Sequence, residues 1–287
     1  MIIDIHTHIF PGAICRQRQN YFEGEAAFKL LYKSPRARLV GVRQLVEAMD
    51  EQGVDVSVVF GFPWKNPDIC RLNNDYVIEA VGRHPDRLVG LACLDAAMPD
   101  AARELERCLA AGLGGMGELA FYRSGIDEEC LHQLEPLMEI CRHHRALTLI
   151  HTNEPVGHQY PGKTPNTLVQ LYRLVRAFPN NPIVMAHWGG GLFFYNLLKK
   201  EVKQSLKSVW FDTAASPFLY DPAVYRLAAD IVGVEKILFG SDFPLLPPER
   251  YFNELKTVGL SRDAQEAITG GNAARLLASL GMLPDIR

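Results

Sequence analysis

Four histidines and two carboxylates in this chain stand where metal chemistry could use them. The sequence opens Met1-Ile2-Ile3-Asp4-Ile5-His6-Thr7-His8, an apolar run ending in two histidines two positions apart. Side chains alternate faces along a strand, so His6 and His8 point the same way and make half a site for a borderline-soft divalent metal. Glu118, His151, His187 and Asp242 each lie at or just after the end of another apolar, β-branched run. Scattered core histidines would not select strand ends so consistently, so the six are read together as metal ligands. His84, His132, His143 and His144 fall on or beside helical stretches and read as solvated surface residues. His158 follows the fifth run, beside Asn153, Glu154 and Tyr160, within reach of a substrate.

The elements that must position these residues are legible from the spacing of apolar runs. Strands are expected at 2–8, 56–62, 88–94, 114–119, 147–152, 183–188, 209–213 and 237–242, with amphipathic helices at 42–52, 73–83, 100–111, 128–144, 167–177, 223–232 and 262–279. Gly53, Gly112 and Gly233 stand where a helix ends in a left-handed residue. Eight strands separated by crossovers predict an α/β fold, a (β/α)8 TIM barrel, in which all carboxyl-terminal strand ends meet on one face. A doubly wound open sheet is the alternative that the pattern alone leaves standing. With 287 residues the chain suits one barrel domain over 1–287. Residues 11–40, carrying Arg16, Arg18, Tyr21, Tyr32, Arg36 and Arg38, form the one irregular segment and are expected to make a mouth or lid insertion.

Beyond the individual positions, five motifs spread over the whole chain carry a resemblance. They are Asp4-Ile5-His6-Thr7-His8, Ile150-His151, Ala186-His187-Trp188-Gly189-Gly190, Gly240-Ser241-Asp242-Phe243-Pro244 and Gly271-Asn272-Ala273-Ala274-Arg275-Leu276-Leu277. Their order resembles the amidohydrolase superfamily, and within it the amidohydrolase-related branch that includes aminocarboxymuconate-semialdehyde decarboxylase and many metal-dependent hydrolases. The resemblance implies that His6 and His8 are first-strand ligands, His151 the fifth-strand ligand and Asp242 the eighth-strand carboxylate that binds metal and takes a proton from water. It implies for His187 one of two roles: a ligand in two-metal members, or a group that polarises water in single-metal ones. Glu118 is similar to the fourth-strand glutamate of the deoxyribonuclease-like two-metal branch, so one ion and two ions both stay open.

Zinc with one open position lowers the pKa of bound water to about 7. A carboxylate such as Asp242 can then accept the proton and pass it to a leaving group. The expected function is therefore hydrolysis of a small ester, lactone, amide or related bond, with Asp242 and His187 catalytic and zinc, or else manganese, as cofactor. The alternative is a metal-dependent non-oxidative decarboxylase of a conjugated or aromatic acid, with a cation for the carboxylate drawn from Arg16, Arg18, Arg36, Arg38, Lys65 or Arg123. A phosphodiesterase or nuclease is more remote, and a binding protein that lost turnover would be expected to have lost a ligand. Trp64, Tyr122, Asn153, His158 and Trp188 are the candidate substrate-binding residues, with Phe62, Phe193, Phe218 and Ser216 as further wall residues.

Composition sets the outer limits. The chain is 48% hydrophobic and 22% charged with a formal net charge of -3, which gives nucleic acid no electrostatic invitation. It shows neither a signal peptide nor an apolar run of spanning length, so a cytoplasmic protein without a membrane partner is expected. Six cysteines without a Cys-x-x-Cys pair read as reduced thiols. A small-molecule substrate and a homodimer are the partners expected.

Overall fold

A computed structural model describes residues 1–284; the last three residues of the expected 1–287 domain lie outside the described residues. Eight strands run β1 (Ile3–His8), β2 (Val56–Phe60), β3 (Leu88–Gly90), β4 (Gly115–Leu119), β5 (Leu147–Ile150), β6 (Ile183–Met185), β7 (Val209–Asp212) and β8 (Ile237–Leu238). They pair in parallel as β1-β2-β3 and β4-β5-β6-β7-β8. Backbone bonds join both seams. Ala92 N–H donates to Gly115 O and Gly117 N–H to Ala92 O, each at 2.9 Å, while Ile5 N–H donates to Phe239 O at 2.9 Å and Asp242 N–H to His6 O at 3.0 Å. The fold is the (β/α)8 TIM barrel that the periodicity predicts.

The strands are buried on both faces, because barrel side chains fill one side and helices cover the other. Ile3, Ile5, Val56, Val58, Leu147 and Leu149 pack in one interior cluster. Most strands end earlier than the apolar runs do: 183–188 narrows to Ile183–Met185 and 237–242 to Ile237–Leu238. The chain leaves the ladder there to turn its polar residues into the mouth.

Two register irregularities aim the site. In β1, Asp4 pairs with Ser57 but Thr7 with Val59, so β1 carries one residue more than β2 over that step. Ile3 and His8, five apart, therefore share the face that Val56 and Phe60, four apart, define. The same extra residue occurs in β4, where Met116 pairs with Thr148 and Leu119 with Ile150. Bulges of this kind re-aim side chains beside functional sites, and these two lie at His6 and at Glu118.

Among the helices, Val42–Gln52, Glu128–His144 and Ala223–Val232 have the expected bounds. The helix expected at 73–83 begins six residues earlier, at Pro67, because Asn66 caps it by accepting from Asp68 N–H and Ile69 N–H, with Pro67 in the first turn. The helix expected at 262–279 is interrupted by a wider turn over Ala267–Gly271. Gly270 lies there against β1, and a Cβ on it would sit 2.2 Å from Met1 O. The 11–40 insertion folds into helices Gly12–Arg16 and Ala26–Tyr32. Buried Phe28 packs on Trp64 at 4.3 Å between ring centroids, and the Glu25 carboxylate accepts from Lys65 N–H at 2.9 Å and Asn66 N–H at 2.8 Å, which ties the insertion to the loop after β2. No helix among the described residues is long and apolar enough to cross a membrane.

Candidate metal centre

All six sequence-identified residues meet at the carboxyl-terminal end of the barrel. The Glu118 carboxylate is central: Oε1 lies 2.9 Å from His151 Nδ1, 3.4 Å from His187 Nε2 and 3.7 Å from His6 Nε2, while Oε2 lies 3.8 Å from His8 Nε2. Asp242 Oδ1 faces the other side, 3.3 Å from His8 Nε2 and 3.7 Å from His6 Nε2. Three overlapping triads, His6–His8–Glu118, His6–His187–Asp242 and Glu118–His151–His187, each bring their ligand atoms within 4.8 Å of one another.

The outward ring nitrogens of His6, His8 and His187 are each held by an acceptor, which aims their Nε2 atoms inward. A carbonyl or carboxylate only accepts, so the nitrogen facing it carries the proton. His6 Nδ1–H donates to Asp212 Oδ2 at 2.9 Å, His8 Nδ1–H to Gly61 O at 3.0 Å and His187 Nδ1–H to Ala214 O at 2.8 Å. His151 is turned the other way and has an acceptor at each ring nitrogen, Gly162 O 2.9 Å from Nε2 and Glu118 Oε1 2.9 Å from Nδ1. His6 Nε2 is buried with no hydrogen-bond partner. Such an orphan among lone pairs and carboxylates fits a divalent cation, whose ligating histidines characteristically donate their other N–H outward. The cluster is a candidate metal site on this chemistry, with nitrogen and oxygen donors suited to zinc or manganese alike.

The charge distribution points the same way. Burial disfavours a charged His6 ring, but the Glu118, Asp212 and Asp242 carboxylates outweigh it and raise its pKa to about 10. Burial likewise opposes ionisation of Glu118, yet His151 and His6 hold its carboxyl well below the usual range. For Asp242, burial is outweighed by the close approach of His8 and by the charges of His6 and His8, which lower its pKa. This pocket calls for positive charge.

Backbone strain is concentrated here. His187, Trp188, Gly189, Gly190 and Gly191 all have positive φ, from 54° to 96°, and Asp242 has φ 59°. The left-handed region costs non-glycine residues about 1–2 kcal/mol each, so surrounding contacts must hold His187 and Asp242 in it. Asp212 is one such contact: Oδ1 accepts from His187 N–H at 2.8 Å and Ala214 N–H at 3.0 Å while Oδ2 holds His6. Sequence reasoning passed over Asp212, although a carboxylate closing Val209-Trp210-Phe211 is the same strand-end signal.

Above the centre lies a cavity of about 790 Å³. His8, Glu118, His151, His187 and Asp242 line it, as do Tyr122 and His158 of the expected substrate residues. Trp64, Asn153 and Trp188 do not reach it. Trp64 and Trp188 are fully buried, their indole N–H groups donating to Asn73 Oδ1 at 3.0 Å and Ser216 Oγ at 2.9 Å. Asn153 ties the loop after β5 by accepting from Thr164 N–H at 2.8 Å. Their type and loop position suggested the mouth; burial claims their polar atoms for packing. Of the six candidate cations only Arg38 lines the cavity, whereas Arg18 grips Ala37 O at 2.6 Å and so shapes the turn leading to it.

Comparison with known proteins agrees with this architecture. A family model described as amidohydrolase matches residues 3–278. The chain is 23% identical to a 2-amino-3-carboxymuconate-6-semialdehyde decarboxylase of Dictyostelium discoideum, covering 96% of this chain and 91% of that protein. Among solved structures it is similar to 5-carboxyvanillate decarboxylase from Sphingomonas paucimobilis, with a TM-score of 0.76, 17% identity and coverage of 96% and 98% of the two chains. It is also similar to a dihydroxybenzoic acid decarboxylase from Polaromonas sp. JS666 solved with manganese and 2-nitroresorcinol, with a TM-score of 0.68, 19% identity and 96% of each chain covered.

Proposed function

The chain belongs to the amidohydrolase family and is an enzyme of that superfamily; on this premise we propose that it is a metal-dependent, non-oxidative decarboxylase of an aromatic or conjugated carboxylic acid. The observation that carries the proposal is the combination of the six-residue centre, five of whose members form the cavity floor, with Arg38 as the one Lys or Arg among the described residues lining an otherwise largely apolar wall. Decarboxylases recur among the similar proteins, which supports this reading over the hydrolase that the metal motifs alone suggest.

His6, His8, His187 and Asp242, with Glu118 and His151 beside them, would hold the metal, zinc or manganese. A divalent cation held there would supply Lewis acidity toward an anionic substrate. Phe62 and Tyr122 stack at 6.5 Å with an interplanar angle of 20°, giving the cavity a flat aromatic wall suited to a planar acid. Arg38 balances the charge of the bound anion. The reaction requires a proton at the carbon bearing the carboxylate; the carbon–carbon bond then breaks, its electron pair stays on that carbon, and carbon dioxide leaves. Asp242, held ionised at the cavity floor, is the group placed to take a proton from water and hand it on. An apolar wall favours loss of the carboxylate charge, since burial penalises the ion.

The experiment is release of carbon dioxide from hydroxybenzoates and muconate-type acids by the metal-loaded protein, beside hydrolysis of esters and lactones. Carbon dioxide from one acid series, lowered at least tenfold by Arg38→Met, is expected. Hydrolysis without any carbon dioxide would restore the hydrolase.

A further inference from the structure

We propose that the outer half of the cavity is a subsite for an apolar substituent, so that the substrate is an aromatic or conjugated monocarboxylic acid bearing an alkyl, alkoxy or aryl group away from its reacting carboxylate. The inference rests on the decarboxylase reading for the reaction but on separate residues for the subsite. Val156, Phe218 and Leu245 are 72%, 59% and 53% exposed, and all three line the cavity above the centre. They come from three different segments, the loops after β5 and β8 and the short helix Ser216–Leu219 after β7. Single exposed apolar side chains need no explanation, but a set converging on one cleft marks a binding surface. Inward, Leu31, Phe62 and Pro63 continue the same wall toward Glu118 and Asp242.

Size and charge identify the occupant. An apolar cavity of roughly 150 Å³ accommodates benzene, so about 790 Å³ leaves room for much more than one ring. Among the described residues lining the cavity, Arg38 is the one Lys or Arg, and it rests over the Phe243 ring at 5.9 Å. The neighbouring ammonium, Lys163 Nζ, is 4% exposed and bound to Glu154 Oε1 at 2.7 Å. A substrate with one carboxylate would use the centre and Arg38; at the outer rim Lys163 Nζ is already taken up by Glu154 Oε1 and Val156 O, and Arg250, its guanidinium 5.2 Å from the Phe218 ring, does not line the cavity, so a second or third carboxylate there would meet the Val156, Phe218 and Leu245 side chains. The outer half therefore suits hydrocarbon.

Calorimetric titration of the metal-loaded protein with 4-n-alkylbenzoates, methyl to pentyl, tests this. The dissociation constant is expected to fall about threefold to fourfold per added methylene, and the combined Val156→Ser, Phe218→Ala and Leu245→Ser variant to flatten the series while keeping its melting temperature. A flat or rising series in the unmodified protein overturns the subsite. So does a light-scattering change from dimer to monomer in the triple variant with no chain-length dependence, because the rim is then an interface between copies. Carbon dioxide release from the matching 4-alkyl-2-hydroxybenzoates separates the two claims. Chain-length-dependent affinity without carbon dioxide leaves the subsite standing and refutes the decarboxylase.

Discussion

At the scale of single residues, the centre depends on groups that never face the cavity. Asp212 accepts from His6 Nδ1–H, His187 N–H and Ala214 N–H. Outer carboxylates of this kind typically support metal affinity by about 10–100-fold. Asp212→Ala should therefore weaken metal binding by that factor in chelator competition; unchanged affinity would show that the scaffold alone orients His6. Asp242→Asn keeps the shape of the side chain and removes its capacity to carry a proton. Turnover should drop roughly 10²–10⁴-fold even in protein loaded to the same metal content per chain, as read by elemental analysis.

At the scale of elements, the two strand irregularities and the left-handed turn after β6 decide where the donors point. Gly190 shows how tightly that turn is fitted: φ is 59°, and a Cβ would stand 2.3 Å from Asn153 O. Gly259 has φ 74° but nothing within 4 Å of its would-be Cβ. Denaturant unfolding should show Gly259→Ala losing about 1 kcal/mol, the conformational cost alone, and Gly190→Ala losing clearly more; equal losses would mean that the turn yields. The loop after β5 is a second such element, because Gly162 O holds His151 and Lys163 Nζ clamps Glu154 beside it. The other three histidines are held by β7 or by the segments directly following β2 and β7. Lys163→Met should weaken metal binding severalfold and raise proteolytic nicking at 154–162, whereas nicking without an affinity change would uncouple the loop from His151.

For the whole molecule, a cation that binds only the folded barrel stabilises it by mass action. At a free concentration of 100 times the dissociation constant the gain is about 2.7 kcal/mol, so stripping metal with a chelator should lower the melting temperature by roughly 5–10 °C. Re-addition of zinc or manganese should restore it, and the ion giving the larger recovery per micromolar identifies the better fit. A melting temperature indifferent to chelator and to both metals would argue against ligation by this cluster. Because ligating histidines must be neutral, metal binding releases protons, so lowering the pH should weaken it and bring the same loss.

The sequence by itself determined eight strands with crossovers and the six residues at their ends, because strand periodicity and strand-end placement are local signals that survive any detail of packing; closure into a barrel rests on the backbone bonds at the two seams. It also located the helix-ending glycines. What only the tertiary structure decided are relations between distant segments: the extra residues in β1 and β4 relative to their partners, and the pairing of Asp212 with His6 across the barrel. The assignment of Trp64, Asn153 and Trp188 to packing and of Arg38 to the cavity belongs there too. An aromatic or amide side chain in a mouth loop reads alike whether it faces substrate or core. Its role depends on which neighbour satisfies its polar atom, and that neighbour is set by how the eight strand ends come together.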